Sequence, residues 1–111
     1  MAEEREELEE EVAQLIDMYL GEAIEEVVGR YYEDQVDLEA DYEDLVEFMA
    51  SEIVKGLGEA DPSYYEAELR KLRRAPGVSK ALVSYLVSKY IDARGANVGG
   101  KKRAGSFTKG G

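Results

Sequence analysis

Residues 77–95 read Gly77-Val-Ser-Lys-Ala-Leu-Val-Ser-Tyr-Leu-Val-Ser-Lys-Tyr-Ile-Asp-Ala-Arg-Gly95, and their apolar residues recur at spacings of three and four. Leu82, Val83, Leu86, Val87, Tyr90 and Ile91 cover one broad side of a helix, with Tyr85 flanking them; the only polar row is Lys80, Ser84, Ser88 and Asp92. Pro76-Gly77 predicts a turn, Ser79 an N-cap, and Arg94 with Gly95 a last turn and its stop, so helix is expected over 79–94. A helix with so narrow a polar stripe needs cover from other elements, which places it at the centre of the fold.

The cover is found upstream. Asp61-Pro62 has the form of an N-cap followed by proline at the first helical position, and Pro76 closes the segment, giving a helix over 62–74. Tyr65, Leu69 and Leu72 form its apolar side; Arg70, Lys71, Arg73 and Arg74 form the other. Before it, Leu38, Tyr42, Leu45, Val46, Met49, Ile53 and Leu57 predict a helix over 38–57, with Asp37 or Asp41 as cap and Gly56 and Gly58 at its end. Residues 33–37 read as a connector. The first helix is expected over 5–32 from Leu8, Val12, Leu15, Ile16, Tyr19, Leu20, Ala23, Ile24, Val27 and Tyr31, with Gly29 either ending it or tolerated within it.

Downstream, the segment from Gly95 to Gly111 has six glycines, four bases, no acid and only Val98 and Phe107 as apolar side chains of any size, a composition that cannot fold alone. The predicted fold class is all-α: a compact bundle of about four helices with a long first helix and a central fourth, followed by a flexible basic C-terminal arm. The expected division is a helical domain over 1–95 and the arm over 96–111. A chain of 111 residues supports one core of this kind.

Charge is distributed unevenly. Residues 1–61 hold 22 acids and three bases, a balance of −19, whereas residues 62–111 hold three acids and eleven bases, a balance of +8. Asymmetry of this size marks interaction surfaces. There is no cysteine and no histidine, which removes thiol chemistry and the commonest general base and metal ligand. No apolar run approaches the ~20 residues that span a bilayer, and the first residues show no leader pattern, so a soluble cytoplasmic protein with no membrane partner is expected.

Motifs with chemistry are scarce. Asp34, Asp37, Glu39, Asp41, Glu43 and Asp44 have the alternation of a calcium loop, but counted from Asp37 the sixth position is Tyr42 rather than glycine and the twelfth is Phe48 rather than glutamate. Ser79, Ser84 and Ser88 have no base to activate them. The expectation is a protein with no catalytic residue, no metal, no cofactor and no small-molecule substrate.

Two features remain as carriers of function. Eight of the ten aromatics are tyrosine, and the two members of Tyr31-Tyr32 and of Tyr64-Tyr65 cannot both face one core, which leaves one of each for a surface; Tyr32 and Tyr64 are the candidates. The bases Arg70, Arg73, Arg74, Lys101, Lys102 and Arg103, with Phe107 as an apolar plug, complete the expected partner-binding set. The leading expectation is an adaptor-type assembly subunit, binding neighbouring copies or another protein through opposite charges and the arm. Small helical subunits with extended terminal arms occur in ring-shaped assemblies such as the connectors of tailed viruses, so a virion is the second location considered, by analogy of architecture. Two alternatives are a nucleic-acid binder using the basic second half and an acidic mimic that occupies a basic site on a nucleic-acid enzyme.

Overall fold

The computed structural model describes the backbone of residues 2–99, with side chains from Glu4 to Gly95. Four helices form it: α1 (Ala2–Tyr31), α2 (Tyr42–Leu57), α3 (Pro62–Arg73) and α4 (Pro76–Gly99). The expected all-α bundle is what the chain adopts, and no strand occurs among the described residues.

α1 runs unbroken through Gly29. Its apolar side buries Val12, Ile16, Leu20, Ile24, Val27 and Val28. α4 touches each of the other three helices, as expected of a central element, but α1 does so too and more extensively, while α2 and α3 do not touch each other. The core is therefore a junction of α1 with α4, onto which α2 contributes Leu45, Val46, Met49, Ala50 and Val54, and α3 contributes Tyr65 and Leu69. Among the described residues, no buried side-chain nitrogen or oxygen lacks a hydrogen-bond partner.

Three boundaries depart from the sequence expectation. α2 begins at Tyr42 rather than Leu38, because the Asp37 carboxylate accepts the N–H groups of Glu39 (2.9 Å) and Ala40 (3.3 Å) and holds them in a turn. In return the Asp37 N–H donates to the Asp41 carboxylate at 3.0 Å, the leading reason why Asp41 titrates below its ordinary value; desolvation opposes this, and Arg94 at 3.0 Å reinforces it. A depressed carboxylate contributes stability above its ordinary pKa of 3.8 and loses it as pH falls through the folded value. The turn also carries Val36, read above as part of a connector, into the core.

The other two departures concern α4. It begins at Pro76, so Ser79 is not an N-cap: it lies buried in the first turn, its N–H donating to Ala75 O (2.9 Å) and its hydroxyl to Leu72 O at the end of α3. Proline at the first helical position has a missing N–H that the helix does not use and a fixed φ that suits it. At the other end α4 continues through Gly95 to Gly99. α3 follows expectation closely, with Asp61 accepting the Ser63 N–H at 2.9 Å, and Gly58 closes α2 at φ 70°, a left-handed conformation suited to glycine.

Leu86 is 3 % exposed, so Leu86→Ala is expected to lower unfolding free energy by about 2 to 5 kcal/mol. A Cβ at Gly29 would meet nothing within 4 Å, and Gly29→Ala is expected to raise stability by up to about 1 kcal/mol by restricting the unfolded chain. Urea denaturation of both variants measures the pair of shifts.

Candidate functional site, an apolar crevice between α2 and α3

Because α2 and α3 lean on the α1–α4 junction without meeting, a crevice of about 500 Å³ remains between them. One wall is Ile53, Gly56 and Leu57 of α2; the other is Tyr65, Leu69 and Leu72 of α3. Leu82, Tyr85 and Leu86 of α4 complete it, and Glu52 and Glu68 mark its edges. Two depressions along the α1–α2 seam are lined about half by carboxylates such as Glu10, Asp17, Glu43 and Glu47.

The side chains of the crevice divide into floor and rim. Tyr65, Leu69 and Leu86 are buried and belong to the core. The Tyr65 hydroxyl donates to Glu59 O at 2.6 Å and accepts the Glu59 N–H at 3.0 Å, pinning the α2–α3 connector; burial raises its pKa. Leu57 is 48 % exposed and Tyr85 59 %, and Val78, on the same side of α4 as Leu82 and Tyr85, extends the apolar rim at 58 %. Lys89 lies 5.6 Å from the Tyr85 ring centre and 3.4 Å from Glu52, whose carboxylate is the leading cause of its raised pKa. Exposed apolar side chains gathered at a concave surface mark places where another surface packs.

The residues expected from sequence to bind a partner lie elsewhere. Arg70 and Arg73 sit over the Tyr19 ring at 5.9 and 5.5 Å, on the seam between α1 and α3. Arg70 donates to the Tyr19 oxygen, Tyr19 donates to Glu66 at 2.8 Å, and Arg70 and Glu66 are 3.3 Å apart. Arg74 is exposed at the end of α3. Of the two tyrosine pairs, Tyr64 is the outward member as expected, with its ring edge-on to buried Tyr65 at 5.5 Å. In the other pair the outward member is Tyr31, 66 % exposed, whereas Tyr32 is half-buried with its hydroxyl 3.2 Å from that of Ser84. Lys101, Lys102, Arg103 and Phe107 lie outside the described residues.

Most of the described bases are paired with acids at the surface of the fold, whereas most of the described acids are not paired with a base. Ten bases lie between Arg5 and Arg94, and eight of them form ion pairs: Arg5, Arg30, Lys55, Arg70, Lys71, Lys80, Lys89 and Arg94. Three of these pairs tie α4 to the acidic half: Lys80 to Glu26 (3.1 Å), Lys89 to Glu52 (3.4 Å) and Arg94 to Asp41 (3.0 Å). Each is exposed enough to contribute little alone, about 0 to 1 kcal/mol. Among the described residues no three His, Cys, Asp or Glu are grouped so as to hold a metal ion, and no helix is long and apolar enough to cross a membrane.

The chain matches no protein-family model, no curated protein and no solved structure in comparisons with known proteins.

If the rim is a surface and the floor is core, their substitutions must separate. Leu57→Ser and Tyr85→Ser are expected to change unfolding free energy by no more than about 0.5 kcal/mol each, while Tyr65→Phe loses about 1 kcal/mol with its hydroxyl contacts. Thermal melts followed by circular dichroism distinguish the two groups.

Proposed function

We propose that this chain is a non-enzymatic assembly subunit that binds neighbouring subunits through opposite charges and its basic C-terminal arm. The observation that carries the reading is the crevice, an apolar concavity whose rim residues Leu57 and Tyr85 stand exposed in a single copy. Burying such a rim against another protein removes apolar area from water, the dominant favourable term in association. The described bases are mostly paired within the fold, while Glu43, Asp44, Glu47 and Asp92 are exposed and form no ion pair among the described residues. The four bases of the arm, Lys101, Lys102, Arg103 and Lys109, are the natural complement to those acids.

Nucleic-acid binding by the second half draws less support. Of the seven bases from Arg70 to Arg94, five, namely Arg70, Lys71, Lys80, Lys89 and Arg94, are paired with a carboxylate, so phosphate would have to displace those partners.

Light scattering across a salt series tests the proposal. The particle mass is expected to exceed that of a monomer at low salt and to fall as salt rises, because the Debye length shortens from about 30 Å at 0.01 M to about 3 Å at 1 M. Neutralising Lys101, Lys102 and Arg103 together, or Phe107→Ala, is expected to lower the low-salt mass. A monomer mass at every salt concentration, with no partner co-purifying, would overturn the proposal.

A further inference from the structure

The crevice raises the question of what covers it, and the residues beyond α4 answer in length, charge and apolar content. We infer that residues 101–109 of the same chain fold back along the α2–α4 seam and seat Phe107 in the crevice. α2 and α4 run antiparallel there: Arg94 pairs with Asp41, the Phe48 and Tyr90 rings meet at 5.6 Å, and Lys89 pairs with Glu52. A segment that reverses after Gly99 therefore travels from the Arg94 end of the seam toward Ile53 and Leu57, the α2 wall of the crevice.

The distances agree. Leu86 lies thirteen residues before Gly99, which is about 20 Å along a helix at ~1.5 Å per residue. Lys101 to Phe107 is seven residues, able to extend about 23 Å at ~3.3 Å per residue. Between α4 and Lys101 stands Gly100, where the absence of a Cβ permits the tight backbone a reversal requires.

Charge fixes the polarity of the segment. Lys101, Lys102 and Arg103 precede Phe107 by four to six residues, about 13 to 20 Å when extended. With Phe107 in the crevice, these bases reach the part of the seam where Asp92 lies about 9 Å along α4 from Leu86 and Asp44 about 14 Å along α2 from Ile53. Both carboxylates are exposed and neither forms an ion pair among the described residues. The rim of the crevice itself carries paired Glu52–Lys89 and Glu68–Lys71, so the apolar plug is placed where charge is already balanced and the bases where it is not. Tethering favours the chain's own segment over a neighbour's, since a short linker gives a high effective concentration. This seating does not require the assembly proposed above; an arm held on its own copy is one that a neighbour must exchange in order to assemble.

Because the chain has no cysteine, paired cysteines introduced into the full-length protein report where the arm lies. One variant carries Ser106→Cys with Leu57→Cys, the other Ser106→Cys with Met18→Cys, an exposed position on α1, which lines no part of the crevice. Under dilute oxidising conditions the first pair is expected to close a disulfide within one chain at least about tenfold faster than the second, as effective concentration dictates. Adding Phe107→Ala, or Asp44→Lys with Asp92→Lys, is expected to erase that advantage. Equal rates for the two pairs would overturn the inference. A crosslink at Leu57 that joins two chains, faster at higher protein concentration, would also overturn it, by seating the arm on a neighbour while leaving the assembly reading intact. An intramolecular crosslink in a protein that is monomeric at all salt concentrations would sustain the inference and remove the assembly reading.

Discussion

Each of α2, α3 and α4 buries its apolar side against α1, and α2 and α3 do so without touching one another. A helix of 30 residues has room for this: at ~1.5 Å per residue it is about 45 Å long, so its ends and middle can serve different partners. α4 closes the arrangement by meeting all three, with Val83 and Val87 fully buried and Leu86 nearly so. The crevice follows from this geometry. Two walls set on a common support, with nothing between them, leave a gap whose floor belongs to the core and whose rim is exposed.

The same geometry pairs most of the described bases. α4 belongs to the basic half of the sequence, yet Lys80, Lys89 and Arg94 meet Glu26, Glu52 and Asp41 from the acidic half. Long basic side chains can lie along apolar surface and keep their charged heads in water, so these pairs form at the edges of the core rather than inside it. The described surface consequently offers few free bases, although the second half of the sequence is basic. What is left is acidic.

Much of the fold was legible because the signals were local. Asp61-Pro62 named the start of α3, and the three- and four-residue spacings named most of each buried side, though Tyr31 and Leu57 at the helix ends are exposed and Val28, Ala50 and Val54 are buried beside the expected stripes. The same proline signal was present at Pro76, but Gly77 beside it reads as a turn, and only the tertiary contact between Ser79 and Leu72 shows that the helix begins earlier. Val36 was invisible for a different reason: a single valine in a polar connector has no periodicity to reveal it, and its burial depends on the Asp37 turn. The crevice was legible only in part. The near-continuous apolar circumference of α4 correctly demanded cover, but which side would remain uncovered is set by the separation of α2 from α3, a distance no spacing in the sequence encodes. Tyr31 and Tyr32 make the same point at smaller scale, since periodicity says that one must face outward and packing against Ser84 decides which.

The junction between α3 and α4 is only Arg74 and Ala75, and the Ser79 hydroxyl bonds across it to Leu72. Two helices joined by so short a link have their angle set by the buried contact at the bend. The α2 wall is held separately, through Leu45, Met49 and Ala50, all without measurable exposure. Both walls are thus anchored through buried residues, and that packing sets the width of the gap. Widening such a gap would disturb the core, so the width favours an occupant whose side chains match it over one whose side chains are broader.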